Sequence, residues 1–174
     1  MTRLADMTDD SAPEVLSLAQ IQHLMRVEFS RAQRYGYPIV CLLVAVDQLG
    51  VLRDRFGYDA KEEVVDAVIA LLHAQTRGSD FVGRMPDDRF MIVVPHGDPA
   101  KVEVLARRLL EGAAALELPA VEGTRLTLSI GGSWMSQGET LFFDDLLQTA
   151  QACLAQVGAA GGGDFALQGP GGLH

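Results

Sequence analysis

The sequence predicts an α/β fold: a central mixed, largely antiparallel sheet flanked by helices. Three observations predict it. Apolar residues recur at helical spacing in four long segments. The run IVCLLVAV, residues 39–46, is β-branched and apolar throughout, as in a strand buried on both faces. Two short apolar runs, DFVGR and RFMIVVP, flank a tight polar turn and read as a hairpin. The order is helix, strand, helix, hairpin, helix, strand, helix, strand, an alternation that packs as helices against a sheet.

Each element has its own signature. Leu18, Ile21, Met25, Phe29 and Ala32 mark an amphipathic helix over about 15–35, broken by YGYP. The central strand follows, and DQLGVLRDRFG then reads as a short helix or turn. Asp59 reads as the N-cap of the next helix, with Glu62 three residues on as in a capping box. Val64, Val68, Leu71 and Leu72 form its apolar stripe, Arg77 sits in its last turn and Gly78 is its left-handed C-cap. Asp98-Pro99 is an N-cap followed by proline at the first helical position. That helix runs to about Ala115, with Val102, Leu105, Leu109 and Ala113 facing inward. TRLTLSIGGSWM reads as a strand that turns at Gly131-Gly132. DDLLQTAQACLAQV is the last helix, and DFAL after a glycine-rich stretch is an edge strand.

A length of 174 residues with 48% hydrophobic content suits one domain with a core. The expected layout is a flexible lead over 1–13, a single domain over 14–168 and a disordered tail over 169–174. The net charge of −9, with no basic stripe, argues against nucleic acid and acidic membrane as partners. Cys41 and Cys153 lie in apolar periodic segments and read as small buried hydrophobes of a reducing compartment. No Cys or His cluster has metal-ligand spacing, the N-terminus is polar, and the longest apolar run is too short to span a bilayer. A cytoplasmic protein without membrane insertion is expected.

Five pieces in register carry a family resemblance over about residues 28–168: RAQRYGYPIVCLLVAVDQL, DRFGYDAKEEVV, RGSDFVGRMPDDRFMIVVP, LTLSIGGSWM and LLQTAQACLAQ. The chain resembles the GGDEF family, the diguanylate cyclases. The resemblance implies a ferredoxin-like, palm-type sheet. It also implies a chemistry in which two head-to-head domains each hold GTP and join the two into cyclic di-GMP. Two acidic Mg²⁺ ligands serve that chemistry, because the ions neutralise triphosphate charge and activate the attacking hydroxyl.

The family signature falls on Pro86, Asp87, Asp88, Arg89 and Phe90. Pro86 and Asp87 replace the two glycines that let backbone approach nucleotide, and Arg89 replaces a catalytic glutamate. Ala45 stands at the first-strand metal aspartate, and Asp47 matches a second family aspartate. Arg53 and Glu62 stand at the guanine-pocket asparagine and aspartate, and Gly158 at a phosphate lysine. The phosphate-contacting DxLTGLxNR pattern is not found before the first strand. The resemblance therefore implies no catalytic residue, no metal and no cofactor. The expectation is that the chain is not an enzyme but a degenerate cyclase. Asp88 reads as a solvated turn carboxylate paired with Arg89, and Arg53 and Glu62 as surface ion-pair or capping residues.

Another part matches. Arg77 and Asp80 in RGSD fit the family's RxxD inhibitory site, with Asp80 six residues before Pro86. Arg108 corresponds to the second arginine, and Arg107 beside it is a substitute. Arginine offers a planar fork of donors to guanine O6 and N7 or to phosphate, and a carboxylate accepts from guanine N1–H and the exocyclic amine. Arg77 also fits a helix C-terminus and Asp80 a strand-entry turn, which are purely structural roles. The expected function is a receptor for cyclic di-GMP that signals through an unidentified protein partner, with a homodimer as a possible assembly. The alternative is a nucleotide-independent interaction module, favoured by the lack of a sensory or output domain in these residues. A GTP-binding regulator is disfavoured, since Pro86 removes an N–H and Asp87 adds charge at the phosphate-facing turn.

Overall fold

The structure is a computed structural model that describes residues 15–135 and 143–169. The expected lead over 1–13 and residues 170–174 of the expected tail lie outside the described residues. The elements are α1 (Leu18–Tyr35), β1 (Ile39–Val46), α2 (Leu49–Phe56), α3 (Tyr58–Gln75), β2 (Phe81–Met85), β3 (Arg89–Pro95), α4 (Pro99–Ala114), β4 (Leu128–Met135), α5 (Phe143–Ala159) and β5 (Phe165–Gln168).

The five strands lie in the order β2-β3-β1-β4-β5. β1 pairs antiparallel with β3 and β4, β2 pairs antiparallel with β3, and β4 pairs parallel with β5. This is the mixed, largely antiparallel sheet expected. β1 is central, and its strand alternation explains the continuous apolar run. Val40, Leu42 and Val44 face a core built with α2, α3 and α4. Ile39, Cys41 and Leu43 face a second core with α1 and α5. Both cysteines are buried and free, and burial alone pushes the Cys41 thiol up to about 12.

Several local expectations are corrected. α1 starts at Leu18, where Ser17 accepts from the Gln20 N–H and the Gln20 side chain accepts from the Ser17 N–H. Gly57, not Asp59, precedes α3, at a φ of 101° that disfavours any side chain. Asp59 therefore lies inside the first turn, where its charge still suits the helix dipole. α3 ends at Gln75. The Thr76 hydroxyl donates to the Leu72 carbonyl at 2.9 Å and the chain leaves extended, so Gly78 caps nothing and Arg77 stands past the helix. The Asp98 cap holds: its carboxylate accepts from the Ala100 N–H at 3.0 Å. In α4 the core position expected of Leu105 belongs to Ala106, and Leu105 is half-buried.

β4 runs straight through Gly131 and Gly132 to Met135 instead of turning. The glycines serve packing. A Cβ on Gly131 would lie 2.2 Å from the Leu154 backbone nitrogen, so α5 sits directly on this strand.

Candidate functional site

Pro86–Asp88 form a short 3-10 turn between β2 and β3, with Asp87 at φ 65° and Asp88 at φ 58°. Both are left-handed, a region that aspartate tolerates better than most residues. Phe90 leaves the turn and is fully buried, paired with Val44 of β1. Among the described residues Arg89 reaches only Asp87, at 3.9 Å, in an exposed pair that contributes little.

Asp88 is not the solvated partner of Arg89 that the sequence suggested. Lys61 of α3 bridges to it at 2.9 Å and Arg84 of β2 at 3.3 Å. Lys61 also meets Glu62 at 3.0 Å, and its side chain is only 12% exposed. Arg53 pairs with its neighbour Asp54 at 3.4 Å. The Lys61 hydrogen bond holds the Asp88 carboxyl below its ordinary value, and the bond to Asp88, with that to Glu62, raises the lysine.

These directions fix a pH window. The Asp88 contribution is complete above the ordinary carboxylate range and is lost as acid drives the pH through its lowered folded pKa. The Lys61 contribution is complete below the ordinary lysine range and is lost as pH rises through its raised value. The bridge should thus be constant between roughly pH 5 and 10. Lys61→Ala is expected to cost about 1 kcal/mol across that plateau. The gap from wild type should narrow below about pH 4. Urea midpoints at pH 3 and pH 7 measure it; a gap of equal size at both would contradict the bridge.

At the end of β1, Ala45 presents a methyl group opposite Ser129. Asp47 is a structural clamp. It accepts from the Thr127 hydroxyl at 2.7 Å, the Ser129 hydroxyl at 2.6 Å and the Gly163 N–H at 2.8 Å. It thereby ties β1 to the start of β4 and to the loop before β5. Asp47 and Asp88 thus each accept from several protein donors, and among the described residues no group of three or more His, Cys, Asp or Glu is placed to hold a metal ion.

The second site lies at the other end of the hairpin. The Arg77–Asp80 segment is a turn in which the Asp80 N–H donates to the Arg77 carbonyl at 3.0 Å. The Arg77 N–H returns a bond to Asp80 Oδ2 at 2.9 Å. The structural role of Asp80 is therefore present, and it uses one carboxylate oxygen. A cavity of about 420 Å³ opens beside this turn. Arg77, Asp80 and Arg108 all line it. Its apolar wall is Val94, Val102 and Leu105. Both arginines are exposed, and among the described residues no hydrogen bond or ion pair holds either guanidinium.

Arg107 is not brought to this cavity. Its guanidinium lies over the Phe165 ring of β5, 5.0 Å from the centroid. A step of one residue on α4 turns the side chain by about 100°, which separates the two arginines. Sequence reasoning missed Lys101, which also lines the cavity. It sits seven residues before Arg108, two helical turns away on the same face, so the spacing carried the signal. Arg77, Lys101 and Arg108 against Asp80 and Asp98 leave the cavity locally positive by 3 − 2 = +1 in a chain of net charge −9.

The sheet is thus largely antiparallel with a core on each face, and an arginine-lined cavity lies at the base of its hairpin. The chain belongs to the GGDEF family: the profile described as "Diguanylate cyclase, GGDEF domain" matches residues 9–164. It is 26% identical over 155 residues to the probable diguanylate cyclase DgcC of Escherichia coli (strain K12), covering 88% of this chain and 41% of that protein. It is 25% identical over 146 residues to diguanylate cyclase DosC of the same strain, covering 83% and 32%. The chain thus spans less than half the length of these curated relatives. Its fold is similar to the GGDEF domain of DgcB from Caulobacter crescentus in complex with c-di-GMP. The TM-score is 0.81 at 14% identity, over 91% of this chain and 96% of that one. It is also similar to diguanylate cyclase SiaD of Pseudomonas aeruginosa in complex with its activator SiaC. There the TM-score is 0.81 at 20% identity, over 94% and 64%. The active GGEEF domain of a diguanylate cyclase from Vibrio cholerae gives 0.81 at 21% identity, over 88% and 97%.

These relatives correct the expectation that the chain is not an enzyme. The family is described as diguanylate cyclase and the curated relatives carry that name, which points to an enzyme. Among the described residues, no helix is long and apolar enough to cross a membrane.

Proposed function

We propose that this GGDEF domain binds cyclic di-GMP in the cavity beside the Arg77–Asp80 turn and passes its occupancy to a protein partner in the cytoplasm. One observation carries the reading. Arg77 and Asp80 from the turn after α3, and Arg108 from α4, line a single cavity. The chemistry supports the ligand. Cyclic di-GMP carries two phosphodiester charges and two guanines, and the cavity offers two arginine forks, a lysine and one carboxylate oxygen outside the turn's own bonding. The cavity also has the size and mixed lining of small-molecule sites, which suits one face of such a ligand.

Membership in a cyclase family is consistent with a domain that meets this molecule, and the relative DgcB is described in complex with it. SiaD is described in complex with an activator protein, so a protein of this fold is known to assemble with a partner.

Thermal unfolding with added nucleotide tests the reading. A ligand that binds only the folded state at one hundred times its Kd stabilises by about 2.7 kcal/mol. Cyclic di-GMP is expected to raise the melting temperature by several degrees, saturating with concentration. Incubation with GTP and Mg²⁺, followed by product analysis, measures the enzyme activity to which the relatives point. An unchanged melting temperature at saturating cyclic di-GMP would favour the nucleotide-independent interaction module.

A further inference from the structure

His96 also lines the cavity, and neither the helix periodicity nor the signature accounts for it. It ends the β3 edge of the site, in the PHGDP loop before α4. Its backbone is left-handed, with φ at 61°, a conformation that few residues other than glycine adopt. Its N–H donates to the Pro38 carbonyl at 2.7 Å, which fixes the loop in place. The left-handed backbone presents this exposed side chain at the cavity wall.

The ring is already positioned. His96 stacks on Tyr37, with centroids 3.8 Å apart and planes 22° from parallel. Tyr37 is anchored in turn, because its hydroxyl donates to the buried Glu28 at 2.9 Å. Glu28 is further held by Arg31 at 3.5 Å. Desolvation and the Glu28 bond raise the Tyr37 phenol, so it stays neutral and keeps its proton in that bond. One face of the imidazole is thus covered by a fixed aromatic, and among the described residues no second ring lies on the other.

We propose that His96 is a stacking platform for a guanine base of the nucleotide held between Arg77 and Arg108. This rests on the preceding reading of the cavity and adds the residue that receives the base plane. Purines stack on aromatic side chains because every base has a π-face, and a backed, rigid ring loses little entropy on receiving one. The arginines supply edge and phosphate contacts, and His96 supplies the face.

The test is a titration of the whole chain with cyclic di-GMP, comparing wild type, His96→Asn, His96→Phe and Arg77→Ala. Asparagine tolerates the left-handed backbone, so His96→Asn removes the ring without straining the loop. It is expected to weaken binding about 5- to 150-fold. His96→Phe should retain most of the affinity. In wild type, the His96 ring protons should move upfield on ligand addition, a ring-current signature that a structural role would not produce. Loss of binding in Arg77→Ala together with wild-type affinity in His96→Asn would overturn the platform and leave the cavity reading standing. Equal losses in His96→Asn and His96→Phe, with both variants melting like wild type, would also overturn stacking. Absence of binding by wild type would overturn the cavity reading itself.

Discussion

Gly131→Ala is expected to unfold this domain or to cost about 3 kcal/mol or more, the largest effect of any single methyl here. A Cβ at this position would lie 2.2 Å from Leu154 N, 2.5 Å from Ala150 O and 2.6 Å from Leu154 Cα. All three are backbone atoms of α5, so no side chain can rotate away. The helix itself would have to lift from β4, giving up the packing of Leu146, Ala150 and Leu154 in the second core. Gly132→Ala is the control. Its Cβ would meet the Leu42 and Leu167 methyl tips at 2.5 and 2.6 Å. Those can shift, so the cost should be smaller, on the order of 1–2 kcal/mol. Urea midpoints decide between them. Equal shifts for the two variants would contradict the account of why β4 carries adjacent glycines.

Removing Arg77 is expected to weaken ligand binding by about one to two orders of magnitude. A bidentate arginine contact to guanine or phosphate is worth about 1–3 kcal/mol, so Arg77→Ala should weaken cyclic di-GMP binding roughly 5- to 150-fold. Its side chain holds no other described partner, so stability should hardly change. Asp80 needs a subtler pair, because its Oδ2 also accepts the Arg77 N–H. Asp80→Ala removes both the turn bond and the ligand acceptor. Asp80→Asn keeps an acceptor oxygen for the turn while removing the charge. If Asp80 acts on the ligand, the asparagine variant should melt like wild type yet bind more weakly, by about tenfold. Wild-type affinity in Asp80→Asn would reduce Asp80 to its turn role.

Much of this fold was legible because its strongest signals are local. The IVCLLVAV run read as a strand covered on both sides, and β1 lies at the centre of the sheet with a core on each face. Asp98-Pro99 announced α4 by capping chemistry alone. The failures are tertiary. Nothing local to Gly131 says that a helix twenty residues later will rest on it, so two glycines read as a turn. Asp59 looked like a cap, but Gly57 offered a backbone conformation that began the helix sooner.

The candidate site divides the same way. Arg77, Asp80 and Arg108 were legible as a pattern in register. Lys101 was hidden because one lysine on a polar helix face resembles any solvated charge. His96 was hidden because its value depends on Tyr37, far away in sequence and stacked on it in space. Asp88 was misread for the same reason: its strongest partner, Lys61, lies on α3, while the neighbouring Arg89 turns to Asp87. The substitutions around the signature turn invited the conclusion that the chain is not an enzyme, and its cyclase relatives overturn that conclusion.

The central claim is that cyclic di-GMP occupies the cavity between the Arg77–Asp80 turn and α4. Isothermal calorimetry on wild type and on the Arg77→Ala, Arg108→Ala double variant tests it most directly, with melting temperatures recorded on both. The account predicts a saturable heat for wild type that vanishes in the double variant while its melting temperature is unchanged. No heat from wild type, or the same affinity in both proteins, would contradict it.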